Sequence, residues 1–87
     1  MSEPDNTHYK EAFGRNVTRY RQANLTTQED LAIALGMSRS HLSRIERGST
    51  NVSLVLICRL AEALGVKPAD LMSFESKSSF GEPDPRA

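Results

Sequence analysis

A single cysteine, Cys58, leaves no partner for an intramolecular disulfide and rules out any multi-cysteine metal site. Only five residues are aromatic and none is tryptophan. A chain of 87 residues buries roughly 60–65% of its unfolded surface, so the expected core is thin. No apolar run approaches about 18 residues, and nothing in the chain reads as a membrane span. The N-terminus is polar and acidic, without the basic and apolar regions of a signal peptide. These absences together predict a soluble protein of the reducing cytoplasm.

An excess of one charge is also missing, since 11 basic residues balance 11 acidic ones. The distribution carries more information than the sum. Between His8 and Met72 there are nine lysines and arginines against six acids, a net of +3. The remaining acids sit in the two tails, at Glu3, Asp5, Glu75, Glu82 and Asp84. A mildly basic globular part permits nucleic-acid binding without proving it.

Apolar periodicity and capping residues divide the chain into five helices. Residues 1–6 read as a flexible tail. From Thr7 to about Asn24, Ala12, Phe13, Val17 and Tyr20 form one apolar stripe, with Gly14 costing about 1 kcal/mol of helix propensity. A second helix starts near Gln28, with Thr27 as N-cap and Asp30 three residues on (Thr26 with Glu29 serves one residue earlier). Leu31, Ala34 and Leu35 form its expected buried face, and Gly36 ends it. Ser38 caps a third helix to about Arg47, with Met37 and Leu42 as a hydrophobic staple and Gly48 as the stop. Ser53 caps a fourth helix, Leu54 to about Leu64, closed by Gly65. Its expected inward face is Leu54, Ile57, Leu60, Ala61 and Leu64. Pro68 opens a fifth, spanning about Ala69 to Phe74. Residues 75–87 are polar and rich in serine, glycine and proline, and read as disordered. The domain thus spans 7–74 and is all-α.

Residues Gln28 to Arg47 carry the functional signal. Small Ala32 lies where two short helices would cross, and Leu31 and Leu35 face Leu42 and Ile45 across a turn containing Gly36. This is how one helix is presented outward by another. On the third helix Leu42 and Ile45 share the inward face, leaving Arg39, Ser40, Ser43, Arg44 and Arg47 outward with no acid among them. Arginine pairs bidentately with guanine, and serine donates or accepts at several bases. Arg39, Ser40, Arg44 and Ser43 are therefore the candidate base readers, with His41 more lateral. Gln28, at a helix N-terminus, and Asn51, past the third helix, are candidate phosphate contacts alongside Arg47.

The stretches Gln28-Glu-Asp-Leu-Ala-Ile-Ala-Leu-Gly36 and Ser38-Arg-Ser-His-Leu-Ser-Arg-Ile-Glu-Arg-Gly48 resemble the Cro/CI-type (XRE-family) helix-turn-helix. Val52-Ser-Leu and Leu60-Ala-Glu-Ala-Leu-Gly-Val66, through Leu71, are similar to the fourth and fifth helices of that family. The resemblance implies a five-helix, lambda-repressor-like DNA-binding domain. It also implies that Gln28 contacts the DNA backbone and braces the recognition helix, and that Arg21 pairs with Glu46. The implied function is a transcriptional regulator acting as a homodimer on a near-palindromic operator of double-stranded DNA. Val55 and Leu56 stand where relatives usually carry polar residues. With Val66, Pro68 and Met72 they form a candidate dimer patch. A phage-type repressor or a restriction-modification controller fits best; the alternative is an antitoxin, with residues 75–87 as its toxin-binding element. Nothing in the residues calls for a cofactor, a metal or an enzyme. Cys58 reads as a small buried hydrophobe.

Overall fold

The computed structural model describes residues 6–74. The flexible tails expected at 1–6 and 75–87 lie outside the described residues except for Asn6, which stands at the N-cap position of the first helix. The described chain runs α1 (Thr7–Ala23), α2 (Gln28–Leu35), α3 (Arg39–Arg47), α4 (Leu54–Leu64) and α5 (Pro68–Leu71).

Local chemistry sets most of the boundaries. Thr27, Ser38 and Ser53 each accept the backbone N–H three residues on, from Asp30, His41 and Leu56, at 3.0, 3.0 and 3.1 Å. These bonds satisfy donors that a helix start otherwise leaves unpaired. At α5 the roles reverse, and the Lys67 N–H donates to Asp70 Oδ2 at 2.9 Å. That helix is one turn, Pro68–Leu71, shorter than the Ala69–Phe74 span expected from sequence. The backbone beyond it is held by side chains instead. Asn16 Nδ2 donates to the carbonyls of Leu71 and Ser73 at 2.9 and 3.2 Å.

Eleven apolar residues make the core. Phe13 and Val17 of α1, Leu31, Ala32 and Leu35 of α2, and Leu42 and Ile45 of α3 meet Leu60, Ala61, Leu64 and Leu71. Three sequence expectations need correction. Ala34 is exposed, and Ala32 takes its place in the buried face of α2. Leu54 is 75% exposed, so the packed face of α4 begins at Leu56 and Ile57. Cys58 is exposed rather than buried.

Two glycines let α1 and α3 approach closely. A Cβ on Gly14 would stand 2.5 Å from the Ile45 carbonyl oxygen and closer still to that of Glu46. Gly48 ends α3 at φ +76°, and a Cβ there would lie 2.6 Å from the Cα of Glu11. Neither contact leaves room for a side chain, which is why α3 can lie directly on α1.

Candidate nucleic-acid interface

The α2–turn–α3 unit is held from beneath and from the side. Leu31, Ala32 and Leu35 pack under Leu42 and Ile45, all within 4% of full burial. Arg59 Nη2, reaching across from α4, donates to the Leu35 carbonyl at 2.8 Å and satisfies one of the acceptors left over at the end of α2.

The lateral support is a polar cluster around one carboxylate. Arg21 grips Glu46 bidentately, Nε to Oε2 at 2.7 Å and Nη2 to Oε1 at 3.0 Å. Thr18 Oγ1 and Gln28 Nε2 also donate to Glu46 Oε1, each at 2.9 Å. A further Arg21 nitrogen, Nη1, donates to the Thr26 carbonyl at 2.9 Å. Burial alone would push the Glu46 carboxyl up. The hydrogen bonds from Arg21, then Gln28 and Thr18, together with the charge of Arg21, outweigh that effect and hold it below its ordinary value. The only acid of α3 is thereby turned into the α1–α3 seam and kept off the outward face.

That outward face exposes four of the five residues expected there from sequence. Arg39, Ser40, Arg44 and Arg47 are exposed, while Ser43 and His41 are half-buried. Arg47 Nη1 donates to Ser43 Oγ at 3.0 Å, one turn back along the helix. Within the described residues the side chains of Arg39 and Arg44 enter no hydrogen bond or ion pair, so both guanidinium groups keep all their donors for a ligand. Asn51 is exposed in the loop after α3. Gln28 begins α2, and one of its two amide hydrogens is committed to Glu46. The expected bracing of α3 by Gln28 is therefore a direct contact.

Sequence reasoning missed three of the supporting residues. Thr18, Asn16 and Arg59 carry out their roles across 28, 55 and 24 residues of chain respectively. The one available signal was Gly14, a glycine in mid-helix with no local reason to be there.

The candidate dimer residues divide in two. Val55, Pro68 and Met72 are exposed, whereas Leu56 and Val66 are half-buried against the core. Leu54 and Cys58, not expected at this surface, are exposed on α4 beside Val55. Among the described residues no three of His, Cys, Asp and Glu converge as a metal site, and no helix is long and apolar enough to cross a membrane.

Comparison with known proteins agrees with this geometry. The chain is 44% identical over 64 residues to control protein C.BamHI of Bacillus amyloliquefaciens, covering 71% of this chain and 78% of that one. The crystal structure of the restriction-modification controller protein C.AhdI from Aeromonas hydrophila superposes with a TM-score of 0.68 at 43% identity, covering 70% of this chain and 92% of that one. Antitoxin PezA of Streptococcus pneumoniae is 33% identical over 60 residues, which is 69% of this chain but 38% of that protein. The helix-turn-helix family HTH_3 matches residues 17–71. The chain belongs to the HTH_3 (XRE-type) helix-turn-helix family of DNA-binding regulators.

Proposed function

We propose that this regulator reads a near-palindromic operator as a homodimer and controls a restriction-modification operon, its own gene included. The observation that carries the DNA reading is the acid-free outer face of α3. Arg39 and Arg44 are unpaired there because Glu46 is turned away. In this docking mode the N-terminal part of the recognition helix reaches base edges in the major groove. Arg39, Ser40, Ser43 and Arg44 are the base readers, guanine being the base that suits the two arginines. Gln28 offers its second amide hydrogen to a phosphate at the positive end of α2, and Arg47 and Asn51 flank the groove as further phosphate contacts.

One such unit reads too few base pairs to single out a genomic site. Two copies about one helical turn apart remove that difficulty. The exposed apolar residues Val55, Pro68 and Met72, with Leu56 and Val66 behind them, supply the surface for pairing. The controller assignment is favoured over the antitoxin by coverage, since the chain matches 78% and 92% of the two controller chains but 38% of PezA.

The experiment is a salt-dependent titration of DNA from upstream of the gene, with Arg44→Ala beside the wild-type chain. Nanomolar, cooperative binding that the substitution abolishes is expected. Weak binding that falls steeply with salt and is equal in both proteins is the non-specific signature, and it would overturn the reading.

A further inference from the structure

Ser43 stands on α3 in line with two arginines, Arg39 one turn before it and Arg47 one turn after, each about 6 Å along the axis. It is half-buried, whereas both arginines are exposed. Of the two, only Arg47 is bonded to it, its Nη1 donating to Ser43 Oγ at 3.0 Å. A hydroxyl has one hydrogen and two lone pairs. Accepting from a guanidinium settles how both are used. The hydrogen cannot point at Arg47, and among the described residues it meets no acceptor. Nearby hydroxyls are used differently. Thr18 gives its hydrogen to Glu46, and Ser49 gives its own to the Arg44 carbonyl, at 2.9 and 3.2 Å. Ser40 is exposed and bonded to nothing described, so it can either donate or accept.

The bond from Arg47 also polarises the hydroxyl. A group that already accepts from a cation donates more strongly, because hydrogen bonds in a chain reinforce one another. Its second lone pair lies beside the same positive charge, which repels the positive end of an incoming N–H. Ser43 is therefore prepared as a donor and not as an acceptor. In the major groove guanine offers N7 and O6 as acceptors, adenine offers N7 and thymine offers O4. Cytosine alone offers no acceptor there, only the donor hydrogens of its N4 amine. We infer that Ser43, polarised by Arg47, is a specificity determinant of α3 that excludes cytosine at the base it faces. The inference rests on the major-groove reading of α3 proposed above.

Arg47 keeps its phosphate contact in this arrangement. A guanidinium carries five N–H donors, and the bond to Ser43 commits one of them. The others remain for a DNA phosphate, which fixes the side chain and with it the direction of the serine hydroxyl. Arg47 is thus a positioning residue for Ser43, and one side chain joins a contact that carries no sequence information to one that does. The two serines of the reading face part company as a result. Ser40 accepts any base edge with a matching donor or acceptor, and Ser43 discriminates.

The test is selection from a pool of randomised DNA duplexes, sequenced after binding by the full chain, by Ser43→Ala and by Arg47→Met. The wild-type motif is expected to hold one position per half-site where cytosine is depleted at least about 5-fold against the best base. Ser43→Ala is expected to level the base frequencies at that position and to leave the others as they were. Arg47→Met is expected to bring cytosine there to within roughly 2-fold of the best base, less than one hydrogen bond is worth. It is also expected to weaken binding evenly across sequences and to lower the salt slope by about 1, the mark of a lost phosphate contact. Cytosine admitted by the wild-type chain at the position that Ser43→Ala levels would overturn the inference. So would a motif that Ser43→Ala leaves unchanged, or cytosine still excluded by Arg47→Met. These three outcomes leave the major-groove reading standing. The absence of any motif from the wild-type chain would overturn that reading and the inference with it.

Discussion

Arg21 and Glu46 form a two-pronged ion pair between α1 and the end of α3, with 12% and 5% of their side chains exposed. Removing one partner of such a pair leaves the other desolvated without its counter-charge, at a cost on the order of 3 kcal/mol. Glu46→Ala also strips the acceptor from Thr18 and Gln28. The substitution is expected to lower the melting temperature by more than about 10 °C. Because Glu46 does not face outward, the order of preference among operator variants is expected to stay the same. A melting temperature within 2–3 °C of wild type, roughly the effect of a surface change, would show that the pair is not holding α3.

The same carboxylate makes stability depend on pH in a defined direction. The folded-state pKa of Glu46 lies below its ordinary value, so near that value the unfolded chain binds more protons than the folded one. Its contribution is complete above the ordinary glutamate value of about 4.3 and is lost as pH falls through the lowered one. Urea unfolding between pH 3 and 6 is expected to show stability rising with pH, and Glu46→Gln to flatten that rise. Equal slopes in both proteins would assign the acid sensitivity to other carboxylates.

Gly14 sets helix propensity against packing, and the two predict opposite signs. Alanine at a helix interior gains about 1 kcal/mol over glycine. Its Cβ would be pressed onto the backbone of Ile45 and Glu46, where no flexible side chain can yield. Overpacking of this kind costs about 1–3 kcal/mol or more. Gly14→Ala is therefore expected to destabilise the protein in thermal melts, and to weaken DNA binding by displacing α3. A rise in melting temperature would mean that α1 and α3 separate more easily than the geometry indicates.

Leu25 occupies the left-handed position after α1, at φ 56°, with 93% of its surface exposed. Its N–H and that of Thr26 close the helix on the Gln22 and Arg21 carbonyls at 2.9 and 3.1 Å, so the motif is fully formed. The side chain gains little burial, while the backbone conformation costs a non-glycine residue about 1 kcal/mol. Leu25→Gly is expected to raise stability by about 0.5 kcal/mol once the entropy of the unfolded chain is counted, and Leu25→Asn by a similar amount. A loss of stability in both would show that Leu25 has a packing partner.

The pattern of what sequence revealed follows the range of the interactions. The starts of α2, α3 and α4 were legible because each cap is one hydroxyl and one N–H three residues away. The Arg21–Glu46 pair came from family resemblance, since 25 residues separate its members. The role of Gly14 was hidden for the same reason: within α1 it is only a weak helix former, and its purpose exists once α3 is in place. On α4, apolar residues fill almost every position from Leu54 to Leu60. Periodicity there cannot select a face, and Leu54 and Cys58, which read as interior from sequence, lie at the surface.

That exposure of Leu54 and Cys58 decides how the proposed dimer is tested. Leu56 belongs to the candidate dimer patch, but it is half-buried against the core. A glutamate there would disrupt folding and pairing together. Val55 is 68% exposed, so a charge at that position leaves the core intact. Val55→Glu is expected to keep circular dichroism unchanged, to give monomers in sedimentation at concentrations where the wild-type chain is dimeric, and to abolish cooperativity in operator binding. The operator affinity is then expected to fall by at least 100-fold, since one half-site is left to bind alone. If Val55→Glu sediments as a dimer, α4 does not form the interface and pairing must use another surface. If the wild-type chain is itself monomeric and still binds a whole operator tightly, the pairing happens on DNA alone.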